Sequence, residues 1–133
     1  MINLISKPNV LINYHLEESG IFRIIFSGKI PVDSILSFLD DFYLFENLPK
    51  ELILLYDFTR AEFDLDPVKI KILSDKARAV SINYDKIRTA FVVAEPKVTA
   101  YTMLFSMMIP NERATRDIFS TVEAAEDWLL GKR

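Results

Sequence analysis

Residues 52–56, Leu-Ile-Leu-Leu-Tyr, form an unbroken apolar run that Asp57 closes. A strand with one wet face alternates apolar and polar residues, whereas a strand covered on both faces does not. Five residues are too few for a helix, so the run reads as the central strand of a parallel sheet. Such a strand obliges the rest of the chain to supply neighbouring strands and helices that cover both faces.

The flanking sequence meets that demand. Val10, Ile12, Tyr14 and Leu16 alternate with Leu11, Asn13, His15 and Glu17, which is strand periodicity. Glu18-Ser19-Gly20 is a turn and Ile21 to Ser27 is β-branched and aromatic, so 10–28 reads as a hairpin closed by Gly28. Pro31 opens a helix, with Asp33 at the positive end of its dipole. Ile35, Leu36, Phe38, Leu39, Phe42 and Tyr43 form its apolar face, and Asn47-Leu48-Pro49 ends it.

Past the central strand, Asp66 reads as an N-cap and Pro67 as the first residue of a second helix. Val68, Ile72, Leu73, Ala77 and Val80 mark its expected buried stripe. Ile87 to Ala94 is another strand. Pro96 opens a third helix that reaches Ile109 before Pro110, and Arg116 to Phe119 is a short last strand. Ser120-Thr121-Val122-Glu123 has the form of a capping box with Ser120 as the cap, and Ala125, Trp128 and Leu129 continue the helix behind it. The order is β-β-α-β-α-β-α-β-α, an α/β domain over residues 1–133 with a mixed, mostly parallel sheet and about four helices.

Composition excludes several classes of function. The chain has no cysteine, which removes disulfides, thiolate catalysis and Cys-based metal sites. Its net charge is −3, so nothing overall calls for nucleic acid. Residues 1–66 carry a net −6 and residues 67–133 a net +3, which reads as two differently charged solvated faces. The N-terminal residues lack the basic start and long apolar core of a secretory signal. The greasiest stretch, residues 102–109, is too short for a transmembrane segment. The expectation is a soluble, cytoplasmic protein.

The candidate chemistry is sparse. His15 is the sole histidine, which rules out a multi-histidine metal site and leaves an ordinary strand residue. Asp57, Glu62, Asp64 and Asp66 cluster in sequence, but their spacing matches no cation or nucleotide motif, and no metal or other cofactor is expected. An aspartate at a strand end more often binds loop N–H groups, the expected duty of Asp57. Ligands of open parallel sheets sit beyond the carboxyl ends of the strands. Asp57, Thr59, Arg60, Glu95 and Lys97 are therefore the expected rim for a ligand or partner, with Thr59, Arg60 and Lys97 able to meet an anion. The third helix is apolar nearly all round. Tyr101, Met103, Leu104, Phe105, Met107 and Met108 suit a buried core helix, a homodimer face, or contact with an apolar ligand or membrane surface.

Four stretches in this order resemble the SpoIIAA-like family of the STAS/SEC14-like (CRAL-TRIO-like) α/β fold. They are Ser27-Gly28-Lys29-Ile30 before an amphipathic helix, LLYDFTRAEFDL at 54–65, IRTAFVVAEP at 87–96 and RDIFSTVEAAEDWL at 116–129. The resemblance covers nearly the whole chain and implies a STAS-like domain. STAS domains bind protein partners, and some switch by phosphorylation; SEC14-like relatives hold lipids or other apolar ligands. The phosphoacceptor version resembles an Asp-Ser-Ser-Gly turn before the second helix. Here that region is Phe63-Asp64-Leu65-Asp66-Pro67, with Leu65 or Asp66 where the acceptor serine would stand. The resulting expectation is a non-enzymatic binding or regulatory domain acting through protein–protein contact, including contact with itself. The alternative is a small apolar-ligand or lipid-binding module.

Overall fold

A computed structural model describes residues 2–3, 12–44, 48–63, 65–107 and 114–131. Val10, Leu11, Asn47, Asp64, Met108, Ile109 and Pro110, each assigned a place above, lie outside the described residues. Six strands and four helices are present among the described residues: β1 (Ile2–Asn3), β2 (Ile12–Leu16), β3 (Phe22–Lys29), α1 (Val32–Tyr43), β4 (Glu51–Glu62), α2 (Pro67–Ser81), β5 (Lys86–Val92), α3 (Pro96–Met107), β6 (Ala114–Phe119) and α4 (Val122–Leu129). The expected order stands, with β1 added in front. A two-residue strand is too short to leave a periodic signature.

The strands lie in the sheet in sequence order, β1 to β6. β1, β2 and β3 pair antiparallel, while β3 to β6 pair parallel. Gly20, at φ 94°, makes the tight turn of the β2–β3 hairpin, a conformation glycine adopts without steric cost. Each parallel crossover steps to the next strand in the same direction, and right-handed crossovers then put α1, α2 and α3 on one face. The buried clusters agree. Phe38 and Phe42 of α1, Leu73 of α2 and Val98 of α3 share one core with Phe22, Tyr56 and Phe91. The opposite face is covered by α4, whose Ala125 and Leu129 pack with Ile21, Leu55, Ala90 and Val92.

The larger core is built of aromatic edges. The ring of Phe26 meets Phe38, Tyr56, Phe58 and Phe63 in T-shaped contacts with centroids 4.8–6.1 Å apart. Such edge-to-face pairs add about 0.5–1.5 kcal/mol each beyond the area they bury.

Local expectations are corrected at four elements. First, β4 does not end at Tyr56 but runs on to Glu62, so Asp57, Thr59 and Arg60 belong to a strand and not a loop. Ile25 pairs with Asp57 and Ser27 with Arg60, so β4 advances three residues while β3 advances two. The extra residue is a β-bulge, and it shifts the pleat by one. Leu52, Leu54, Tyr56 and Phe58 are buried before it, and Ala61 and Phe63 after it.

Second, the buried stripe of α2 is Ile70, Leu73, Ser74 and Ser81, with Ala77 and Val80 half-buried, whereas Val68 and Ile72 face solvent. Two serines take core positions that periodicity assigns to apolar residues. The Ser81 hydroxyl satisfies itself by donating to the Arg78 carbonyl within the helix, at 2.8 Å.

Third, the cap of α4 is Thr121, whose hydroxyl accepts from the Ala124 amide at 3.2 Å, and not Ser120. Thr121 has the extended backbone that an N-cap needs, and Ala125 and Leu129, one helical turn apart, face the sheet. Pro31 likewise occupies the N-cap of α1 and stands just outside its first turn.

Candidate functional site

The bulge defines the chemistry of Asp57. One of its carboxylate oxygens accepts from the Thr59 amide at 3.0 Å and the Thr59 hydroxyl at 2.7 Å, closing the extra residue of β4. Asp57 therefore binds neighbouring backbone, as expected of it, although inside a strand. Thr59 and Arg60 are exposed on the β3 side of β4. Glu95 caps α3, its two oxygens accepting from the Lys97 and Val98 amides at 3.0 Å each. Asp66 does the same for α2 through the Lys69 amide at 2.9 Å. The N-termini of α2 and α3 are thus occupied by the chain's own carboxylates, whereas Pro31 at the N-cap of α1 makes no side-chain cap bond. The Lys97 ammonium lies 5.8 Å from the ring centroid of Tyr101.

His15 sits beside Glu17, with 3.9 Å between Nε2 and the carboxylate, on the face where Arg23 bridges Glu17 and Glu126. Among the described residues no group of three or more His, Asp or Glu side chains could hold a metal ion. No helix among them is long and apolar enough to cross a membrane.

Of the six side chains on α3 singled out above, Met103, Leu104 and Met107 face solvent. Tyr101 and Phe105 turn inward onto the core, and Met108 lies outside the described residues. The fully buried positions of α3 are Val98 and Thr102. A threonine can sit there because its hydroxyl donates to the Val98 carbonyl at 2.8 Å.

Tyr101 and Phe105 form part of the wall of a cavity of about 110 Å³ between the sheet and α1, α2 and α3. Tyr56, Thr89 and Arg116 make its floor on β4, β5 and β6. The lining is overwhelmingly apolar, and Arg116 is its one charged residue among the described residues. Strand alternation explains why a charge points inward. Ala114, Arg116 and Ile118 share the face of β6 that looks onto the large core, and Thr115 and Asp117 project from the other.

The Arg116 guanidinium carbon lies 4.6 Å from the ring centroid of Phe105, a cation–π contact. Its Nη1 is buried without a hydrogen-bond partner among the described residues. Burial pulls the guanidinium below its ordinary pKa, while the neighbouring phenols of Tyr56 and Tyr43 act in the opposite sense. An arginine starts so high that it remains a cation at neutral pH. Burial raises the pKa of both phenols, so near neutrality they are uncharged O–H donors. The cavity thus offers apolar walls, one fixed positive charge and two phenols close enough to feel that charge.

Sequence reasoning passed over Arg116. It reads as the first polar residue of a short strand, and the available signal was the alternation of Ala114, Arg116 and Ile118.

No protein-family model matches the sequence, and no curated protein matches it with significance. Among solved structures, the chain is similar to an uncharacterised DUF3478-family protein with a SpoIIAA-like fold from Shewanella loihica PV-4. The TM-score is 0.58 at 16% identity, over 89% of this chain and 91% of that one. The sequential sheet, three helices on one face and a lone C-terminal helix on the other accordingly make a SpoIIAA-like fold.

Proposed function

We propose that this protein is a non-enzymatic binding module that takes a small apolar ligand into the cavity between the sheet and helices α1 to α3. The observation that carries the reading is the cavity of about 110 Å³ with its apolar lining. Protein interiors are otherwise packed close to the density of organic crystals, and voids larger than a water molecule are few. A space of this size is on the order of one small ring, near the volume at which an apolar cavity takes up benzene. Ligand sites are typically concave, apolar and supplied with few polar groups.

The test is stabilisation by a neutral apolar probe. A ligand that binds the folded chain alone raises its melting temperature, by an amount that grows with the logarithm of ligand concentration once that exceeds Kd. Millimolar 1-octanol is expected to raise the melting temperature of the wild type. Ala77→Phe, which fills the cavity from α2, is expected to remove the response. A wild type that shows no shift, and carries no small molecule in native mass spectrometry, overturns the reading.

A second reading, protein–protein contact through α3, is favoured by a separate observation: Met103 is 52% exposed, Leu104 37% and Met107 77%. Three large apolar side chains on one short helix are the kind of surface that partners cover. Methionine adapts to partners of varied shape.

A further inference from the structure

We infer that the cavity selects a monocarboxylate with a short apolar tail, the carboxylate held by Arg116 and the tail lying among the aromatic side chains of the sheet and α3. The inference rests on the reading of the cavity as a ligand site, and goes beyond it by fixing the charge and chemistry of the ligand.

Arg116 is half-buried, and its buried Nη1 is costly, because a buried donor without a partner carries its full desolvation penalty. Buried charges in proteins are normally paired and hydrogen-bonded. Here the guanidinium carbon lies 4.6 Å from the centroid of the Phe105 ring, while Nη1 has no acceptor among the described residues. A planar fork of N–H donors matches a planar carboxylate, which can take two parallel hydrogen bonds from it.

The number of charges decides among anions. Arg116 is the only cation in the described lining, and no carboxylate side chain accompanies it there. One positive charge balances one negative charge. A dianionic phosphate monoester would leave a buried charge uncompensated. The adjacent Tyr56 and Tyr43 are neutral near pH 7, since burial keeps their protons on, and they add no opposing charge. The aromatic and aliphatic part of the lining, Phe58, Phe91 and Phe105 among it, suits hydrocarbon. The volume of about 110 Å³ sets the scale of the buried part at a small ring or a short acyl chain, far below a two-chain lipid.

The experiment compares octanoate, 1-octanol and octyl phosphate by calorimetric titration at neutral pH, on the wild type and on Arg116→Met. Octanoate is expected to bind the wild type at least tenfold more tightly than 1-octanol, the least that a charge-assisted, desolvated hydrogen bond supplies. Octanoate is also expected to bind more tightly than octyl phosphate. In Arg116→Met the preference for octanoate over the alcohol is expected to vanish while 1-octanol still binds. The wild-type comparison needs no variant, so it stands even if Arg116→Met fails to fold. Equal binding of acid and alcohol by the wild type overturns the carboxylate inference and leaves the apolar-ligand reading intact. Tighter binding of octyl phosphate also overturns it. Binding of none of the three overturns both.

Discussion

A single carboxylate oxygen of Asp57 accepts two hydrogen bonds from Thr59, one from the amide at 3.0 Å and one from the hydroxyl at 2.7 Å. The pair holds the bulge that shifts the pleat of β4. Asp57→Ala removes both bonds at a partly exposed site and is expected to cost about 1–2 kcal/mol, read as a lower urea midpoint at unchanged slope. Thr59→Ala keeps the amide bond and is expected to cost less. With its hydroxyl committed to Asp57, Thr59 is expected to carry no stoichiometric phosphate when the protein is purified from cells. Intact-mass measurement checks this.

Arg88 and Trp128 tie α4 to the sheet. The guanidinium carbon sits 4.4 Å from the indole centroid, and Nη2 donates to the Trp128 carbonyl at 2.6 Å. Arg88→Ala loses the cation–π contact and the bond to the end of the helix together. The expected cost is about 1–3 kcal/mol. Trp128 is the single tryptophan of the chain, so its emission reports this helix alone. A red-shifted emission is expected in the variant under conditions where the circular dichroism of the sheet is unchanged.

Tyr14 gives a signed pH dependence. Burial, with a smaller contribution from the charge of Asp41, raises its phenol from 10.0 to about 12 in the folded chain. The unfolded chain therefore releases this proton first. Stability is level with respect to this group below about pH 10 and falls as pH rises from there towards 12. Tyr14→Phe is expected to flatten part of that fall. It leaves a remainder, because Tyr43, Tyr56 and Tyr84 are raised by burial as well. Urea midpoints at pH 9 and pH 11.5 for the two proteins measure the difference. An equal loss in both would show that Tyr14 does not titrate as described.

The exposed side of α3 separates the second functional reading from the first. Met103→Ser with Met107→Ser changes two solvent-facing side chains and is expected to leave stability within about 0.5 kcal/mol. If α3 is a face for a second copy, light scattering gives a dimer mass for the wild type and a monomer mass for the double variant. A wild type that stays monomeric at high concentration removes self-association through α3.

What could be read in advance was whatever the chain decides locally. Leu52–Tyr56 was legible as a central strand because coverage on both faces removes the polar residues that alternation would insert. Asp66 and Pro67 were legible as a helix start because cap and proline act within one turn. The bulge at Phe58–Thr59 was not, since its register is set by pairing with Ser27 across the sheet. The phase of α2 was missed because Ser74 and Ser81 are buried, and a serine at a core position looks polar in sequence. Arg116 was missed for a related reason. Burying a cation runs against every hydropathy pattern, and only the three-dimensional coincidence of β6 with α3 and the phenols of α1 and β4 gives it a setting.

The bulge in β4 also behaves like a reading frame. Because the pleat repeats every two residues, deleting any one residue between Phe58 and Ala61 would return the strand to a regular alternation. Ala61 and Phe63 would still point inward, an even number of residues from Phe58, so the bulge is what lets two exposed residues stand where a regular strand has one. Thr59 and Arg60 are solvent-exposed, and substitutions there should be easily absorbed. What the core reads is the phase of Ala61 and Phe63, which the bulge preserves, and not the identity of the two residues that it carries outward.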